Sequence, residues 1–189
     1  MDNYHLSNTK YPDDSWNILN QYLTNERKQK LECKSKLRSS FFRLAVQDPY
    51  HPHNISACLR SAEAFGIQNV DIISTRNYFR STSVAKGVSD WLSIHTHDDI
   101  AKYSKDMKEQ GYRLCAALPS DNATPLGKIP VDKPTVILFG NEKNGISEAW
   151  TEYIDETFTI PMVGFVESLN ISVSAAITMQ TLTEKAKTK

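Results

Sequence analysis

Phe158-Thr-Ile-Pro-Met-Val-Gly-Phe-Val-Glu-Ser-Leu-Asn-Ile-Ser-Val-Ser-Ala-Ala-Ile177 is the stretch on which the reading of this chain turns. It opens as a short β-rich run, turns through Pro161 and Gly164, and enters a helix near Asn170. Ser168 and Asn170 are good N-terminal caps, because their oxygens accept hydrogen bonds from otherwise unpaired helix N–H groups. The helix begins with the small residues Ser172, Ser174, Ala175 and Ala176, which let another backbone approach closely. A strand, a glycine-containing loop and a capped helix start can together cradle a small molecule. Taken alone, the same pattern also describes an ordinary strand-to-helix turn, so the rest of the chain has to decide.

Outward from this stretch, strand and helix patterns alternate. Thr135-Val-Ile-Leu-Phe139 is a near-continuous apolar run, as expected of a parallel strand buried on both faces. Ser147 caps a short helix through Trp150, and residues 157–160 form a strand before the final helix. Further strands are expected at residues 41–46, 70–73, 91–95 and 114–118. Helices are expected from His53 to Phe65, closed by Gly66, and from Asp98 to Gln110, closed by Gly111. Residues 75–90 read as a polar connection holding Arg76, Arg80, Lys86 and Gly87, and residues 119–134 as a loop. The economical answer is an α/β fold with a mainly parallel sheet flanked by helices. In such sheets ligands sit beyond the carboxyl ends of strands.

Residues 1–40 read as a basic helical N-terminal extension and residues 41–189 as the main domain. Trp16, Leu19, Tyr22, Leu23 and Leu31 recur at helical spacing over residues 13–38, with Asp13 or Asp14 to cap the start. Arg27, Lys28, Lys30, Lys34, Lys36 and Arg38 crowd the same segment, broken by Glu26 and Glu32. That patch suits neutralisation of phosphates, and equally a solvated helix face. Charge over the whole chain decides nothing, since 22 Lys and Arg balance 22 Asp and Glu.

The length of 189 residues fits one domain with an appended element, and 40% apolar residues suffice for a core. No apolar run approaches the roughly 20 residues that span a bilayer. Met1-Asp-Asn-Tyr-His5 lacks the basic start and apolar region of a secretory signal. Cys33, Cys58 and Cys115 are scattered and odd in number, against a disulfide framework. The expectation is a cytoplasmic protein.

Three stretches just beyond strand ends carry candidate chemistry. In Pro52-His-Asn54-Ile-Ser-Ala-Cys-Leu-Arg60, Asn54 can orient a partner and Arg60 can reach a phosphate or carboxylate. Arg60 inside an apolar helical run is equally read as half of a buried ion pair. Phe139-Gly140-Asn-Glu142-Lys-Asn-Gly145-Ile-Ser147 nearly matches the phosphate loop G-x-x-x-x-G-K-[ST]. Ile146 stands where the lysine must be, and Glu142 puts negative charge where phosphates would lie, which excludes an NTPase. Glu142 can instead pair with a cation or accept hydrogen bonds from Asn54. The third stretch is the opening one, with Ser168 and Asn170. His51 with His53 and His95 with His97 have no recognised zinc spacing, so no metal is expected. Neither a G-x-S-x-G elbow nor a G-x-G-x-x-G fingerprint is present.

Together these stretches identify a resemblance. The chain resembles the SpoU family, the TrmH-like 2′-O-ribose RNA methyltransferases of the SPOUT superfamily, over about residues 41–185. The matching residues are Asn54-Ile-Ser-Ala-Cys-Leu-Arg60-Ser-Ala with Phe65-Gly66, Leu138-Phe-Gly-Asn-Glu142-Lys-Asn-Gly145-Ile-Ser, and Ile160-Pro-Met-Val-Gly-Phe-Val-Glu-Ser168-Leu-Asn170-Ile-Ser-Val. Ser120-Asp-Asn-Ala123 and the stretch from Gly87 to Trp91 look like the tRNA guanosine-18 branch.

The resemblance implies a parallel α/β sheet whose C-terminal segment threads a trefoil knot. It implies S-adenosylmethionine as cofactor, lined by Ala117, Gly140, Ile160 and Leu169, and a homodimer built on the final helix and the first motif. The implied reaction transfers a methyl group to a ribose 2′-hydroxyl of tRNA, with guanosine 18 as one candidate, or of ribosomal RNA. Arg60, Asn54, Glu142, Ser168 and Asn170 would be the catalytic set. Arginine normally stays protonated, so Arg60 is expected to bind the phosphate and position the hydroxyl, its role as a base left open. The chain ends at Lys189 without the longer C-terminal tail of the guanosine-18 branch, which bears on the RNA more than on the chemistry. The competing reading is a non-catalytic RNA-binding dimer that retains the knotted fold. A weaker one is a related enzyme acting on a base nitrogen.

Overall fold

The computed structural model describes residues 14–74, 87–120 and 122–188. Asp13, most of the polar connection with Arg76, Arg80 and Lys86, and Asp121 lie outside the described residues. The chain divides into two compact units, Met1–Arg38 and Ser39–Lys189.

In the first unit the single expected helix is two. Helix α1, Ser15–Leu19, runs into a 3₁₀ turn at Asn20–Tyr22, and α2 spans Asn25–Ser35. The break falls at Leu23 and Thr24, both extended, and the Thr24 hydroxyl accepts a hydrogen bond from Arg27 N at 3.3 Å. A capping threonine supplies one of the unpaired N–H groups with a partner and starts a helix anew. Asp14 stands before α1 but makes no side-chain cap. No residue of α2 is buried, as its run of charges requires.

The second unit is built on a seven-stranded, wholly parallel sheet. Its strands are β1 (Ser39–Gln47), β2 (Ile67–Ile73), β3 (Ser93–His97), β4 (Arg113–Ala117), β5 (Thr124–Pro125), β6 (Thr135–Phe139) and β7 (Glu156–Thr159). The helices are α3 (Pro52–Ala64), α4 (Ile100–Glu109) and α5 (Ile171–Lys187). The order across the sheet is β3-β2-β1-β6-β4-β7-β5. The chain first steps outward from β1 to β3, then crosses to build the other half, so the direction reverses beside β1 and β6. Such a reversal opens a crevice at the carboxyl ends of the strands.

Two short elements differ from expectation. The loop after β4 holds β5, too short and too proline-bound to read as a strand, and a 3₁₀ turn at Leu126–Lys128. Ser147 precedes a 3₁₀ turn, Glu148–Trp150, without capping it through its side chain.

Every residue of β6 is buried, because both sheet faces are covered. Ile137 and Phe139 join Leu44 and Val46 of β1 in a core closed by Leu59 of α3 and by Met179 and Leu182 of α5. Val136, Leu138 and Ala45 face the other way, against Tyr103 and Met107 of α4 and Trp150. Each such large apolar side chain contributes about 1.5–3 kcal/mol by leaving water.

The second face also encloses a charge pair. Arg43 donates to both carboxylate oxygens of Asp71, at 2.8 and 2.6 Å, and the Tyr103 hydroxyl donates to the same carboxylate at 3.0 Å. Asp71 has no solvent exposure, and burial would raise its pKa. The hydrogen bonds from His97 and Arg43 outweigh burial and hold the carboxyl below its ordinary range. Removing one partner strands the other charge in a dry site. Asp71→Ala is expected to cost about 3–5 kcal/mol in urea unfolding. Adding Arg43→Met should restore part of that loss, and a double variant less stable than Asp71→Ala would refute the account.

Candidate active site

At the carboxyl ends of β4, β6 and β7 lies a hollow of about 530 Å³. That is within the range of small-molecule sites, roughly 300–1,000 Å³. Ala117 ends β4, Gly140 follows β6, Ile160 follows β7, and Leu169 arrives from the loop before α5. All four line the hollow, as do Asn54, Glu142, Ser168 and Asn170.

The glycine loop after β6 owes its shape to close backbone contact. A Cβ on Gly140 would lie 2.1 Å from the Gly145 carbonyl carbon and 2.3 Å from Ile146 N, so no side chain fits. Gly145 has φ +66°, a conformation L side chains rarely adopt. Asn141 and Gly145 exchange N–H···O bonds of 2.8 Å in both directions. The Asn141 side-chain oxygen also accepts from Lys143 N at 2.8 Å and Asn144 N at 3.3 Å. The loop therefore presents backbone rather than side chain to the hollow at Gly140.

One chain of hydrogen bonds joins the three stretches singled out in the sequence. The Glu142 carboxylate accepts from Tyr50 N at 3.0 Å, His51 N at 3.4 Å and the Asn54 amide nitrogen at 2.9 Å. With its nitrogen committed to a carboxylate, the Asn54 amide must offer its oxygen on the other side. That oxygen accepts from the Asn170 amide nitrogen at 3.2 Å. The Asn170 oxygen in turn accepts from Ser172 N at 2.8 Å and Ser172 Oγ at 2.7 Å, capping α5. Each amide is thus oriented by its neighbours, and the anion at one end sets the direction of the whole relay. Burial would raise the Glu142 pKa, but Asn54 and the backbone N–H groups outweigh it and hold the carboxyl low.

Arg60 is the exception among the expected residues. It lies exposed on α3 and is not among the residues lining the hollow. Six positions beyond Asn54 in the sequence, it stands about 9 Å further along the helix at 1.5 Å per residue. Its exposure also removes the buried ion pair considered for it. Cys58, in the same helix, is buried, and burial with the nearby Glu142 charge pushes its thiol up to about 12, so it offers no nucleophile.

His51 and Asn141 also line the hollow; the sequence weighs His51 only as a metal ligand and gives Asn141 no role. The Asn-x-x-x-Gly spacing of Asn141 is a readable turn signal. His51 reaches Glu142 through its backbone N–H, which no residue type announces.

Two outcomes follow from this geometry. Gly140→Ala should displace the loop and cut ligand affinity by more than about tenfold, since the clash is with backbone and cannot be relieved by a rotamer change; unchanged calorimetric affinity in the variant would contradict it. For Glu142, the folded carboxyl titrates below its ordinary 4.5. Stability owed to the ionised form is complete above that pH and is lost as pH falls through the lowered value. The stability gap between wild type and Glu142→Gln, followed by thermal melts, should hold steady down to pH 4.5 and shrink below it.

Comparison with known proteins bears on what such a site is for. The Escherichia coli (strain K12) protein named tRNA (guanosine(18)-2'-O)-methyltransferase is 36% identical over 135 residues, covering 71% of this chain and 59% of that one. The chain therefore spans under two thirds of that relative's length. A Thermus thermophilus protein of the same name is 30% identical over 155 residues, 82% of this chain and 80% of its own. The crystal structure of the A. aeolicus TrmH/SpoU tRNA modifying enzyme shares the fold, with TM-score 0.77 at 24% identity, covering 86% of this chain and 84% of that one. The family described as SpoU rRNA Methylase matches residues 42–180, which include β6, the glycine loop and the Glu142–Asn54–Asn170 relay. The chain belongs to the SpoU rRNA methylase family.

Proposed function

We propose that this chain is an S-adenosylmethionine-dependent RNA methyltransferase that modifies a ribose 2′-hydroxyl, in tRNA (guanosine 18 being the first candidate) or in ribosomal RNA. The observation that carries the reading is the relay from Glu142 through Asn54 to Asn170, made at the mouth of a hollow sized for an adenosine. The hollow's lining by Gly140, Leu169 and Ile160, with the Glu142 carboxylate among its residues, suits a neutral adenosine moiety better than it suits phosphates. S-adenosylmethionine supplies an electrophilic methyl group on sulfur, so the chemistry demanded of the protein is small.

What remains for the protein is to place a weak nucleophile. Ala117, Gly140, Ile160 and Leu169 hold the cofactor, and Ser168 and Asn170 shape the side of the hollow where the ribose enters. Asn54 and Glu142 keep Asn170 in place. Alignment of this kind contributes up to roughly 7–11 kcal/mol to a reaction of two bound partners. Arg60 binds the phosphate beside the target ribose and positions the hydroxyl.

Because Arg60 stands outside the hollow of its own chain, this reading places it at the hollow of a second copy. A homodimer on α5 and α3 fits the exposed apolar residues Val173 and Ile177 on α5 and Phe165 in the loop before it. The trefoil knot belongs to the same reading, as does action in the cytoplasm; none of the helices is long and apolar enough to cross a membrane among the described residues.

Isothermal calorimetry with S-adenosylmethionine and mapping of 2′-O-methyl sites in cellular RNA, with and without this gene, test the reading. Binding together with loss of one site on deletion is the expected result. Absence of binding would favour a non-catalytic RNA-binding dimer. Asn170→Ala should lower methylation by more than about 100-fold, as misplacement of a reacting group does. Loss of the cap should lower stability by only about 1 kcal/mol, leaving a folded protein; wild-type rates would remove Asn170 from the site.

A further inference from the structure

Gln47, the last residue of β1, is a buried polar side chain, 5% exposed, directly after the apolar run Leu44-Ala-Val46. Its amide is fully used. The oxygen accepts from Ser147 N and from the indole Nε1 of Trp150, both at 3.1 Å. The nitrogen donates to Ser147 Oγ at 2.9 Å and more weakly to the Asp48 carboxylate at 3.5 Å. These contacts explain why Ser147 does not cap the turn that follows it: its hydroxyl is taken by Gln47.

The neighbouring residue grips the other end of the same loop. Asp48 has φ +41°, rare for a residue with a side chain. Its N–H continues the ladder to Ile73 O at 2.8 Å, while its carbonyl accepts from the Asn141 side-chain nitrogen at 2.5 Å. Residues 47 and 48 therefore hold both ends of the segment from Asn141 to Ser147. The bonds inside that segment set its shape, and the Glu142 carboxylate ties it to the start of α3. The bonds of Gln47 and Asp48 add a second tie to the sheet, beside the chain's own exit from β6.

We propose that Gln47 is a positioning residue for the ligand hollow: it fixes the height of the glycine loop over the strand ends, and so the affinity for the adenosine-bearing cofactor. This rests on the methyltransferase reading above. A leucine at this buried position would avoid the desolvation of an amide. A fully satisfied amide instead selects one arrangement of the loop, since a shift of about 1 Å breaks hydrogen bonds at both of its ends.

The test compares wild type, Gln47→Leu and Ser147→Ala in the full chain. Gln47→Leu deletes the clamp, and Ser147→Ala deletes only the bond to the hydroxyl, keeping a foldable variant in hand. Gln47→Leu should weaken S-adenosylmethionine binding by about tenfold or more and Ser147→Ala by about threefold. Turnover at saturating cofactor should fall less than the affinity does, because Ser168 and Asn170 stand on another element and only Glu142 rides on this loop. Amide exchange in the free protein should quicken at Gly145 and Ser147 and stay unchanged at Ile137 in β6.

A residue that merely stabilises the fold would lower the melting temperature and leave the affinity of the folded protein unchanged; that result overturns the inference. Unchanged exchange at Gly145 and Ser147 in Gln47→Leu overturns it as well. Failure of the wild-type chain to bind S-adenosylmethionine would instead overturn the methyltransferase reading, and with it the ligand assigned to this loop, while the exchange data would still report whether the clamp exists.

Discussion

The carboxylate of Glu142 is the one group on which the geometry of the site depends. It stands at the junction of the glycine loop and α3, and three donors converge on it from Tyr50, His51 and Asn54. An amide is symmetric enough to be turned either way, and a carboxylate is what breaks the tie. Once Asn54 gives its nitrogen to the anion, its oxygen must face Asn170, whose own oxygen then caps α5. A charge on one loop thereby dictates the direction of a polar group some 28 residues further along the chain, at Asn170. Hydrogen bonds to a charged group are worth about 1.5–3 kcal/mol each, more than neutral ones, which is why the relay starts there.

The sheet beneath makes this convergence possible. In a parallel sheet all strands deliver their carboxyl ends to one edge, so loops far apart in sequence meet without any strand reversing. Burial on both faces makes the strands a rigid base, with α3 and α5 packed on one side and α4 on the other. The two sides do different work. The face under α3 and α5 is apolar and supports the site, whereas the face under α4 encloses the Arg43–Asp71 pair with Tyr103 and His97. That pair is far from weak, yet nothing in it reaches the hollow. Its bidentate geometry ties β1 to β2, and so fixes the strand from which α3 departs.

Placement of Arg60 separates the two kinds of residue in the first motif. Asn54, at the start of α3, falls where the helix meets the strand ends, and its side chain joins the relay. Arg60 is carried nearly two turns further by the same helix and emerges exposed. An exposed guanidinium is a fixed planar fork, a shape that favours two-point contacts. The helix repeat alone therefore brings Asn54 to the hollow and carries Arg60 away from the hollow of its own chain.

By itself the sequence determined the alternation of strand and helix, the apolar β6 and the three motif stretches, because these rest on local periodicity, turn chemistry and residue order. It also indicated that Asn170 starts a helix, since a cap acts within a few residues. Local pattern could not foresee the break at Thr24 or the two-residue β5, where a single hydrogen bond or a short ladder decides. The Asn54–Glu142 bond was suggested by chemistry alone, but its continuation to Asn170 was not. Only the tertiary structure decided that Gln47 is paired with Ser147, that Arg60 stands outside the hollow, and which way each amide points. Those outcomes depend on contacts between residues as much as 116 positions apart, and a hydrogen bond of about 3 Å carries no trace in the spacing of the residues that make it.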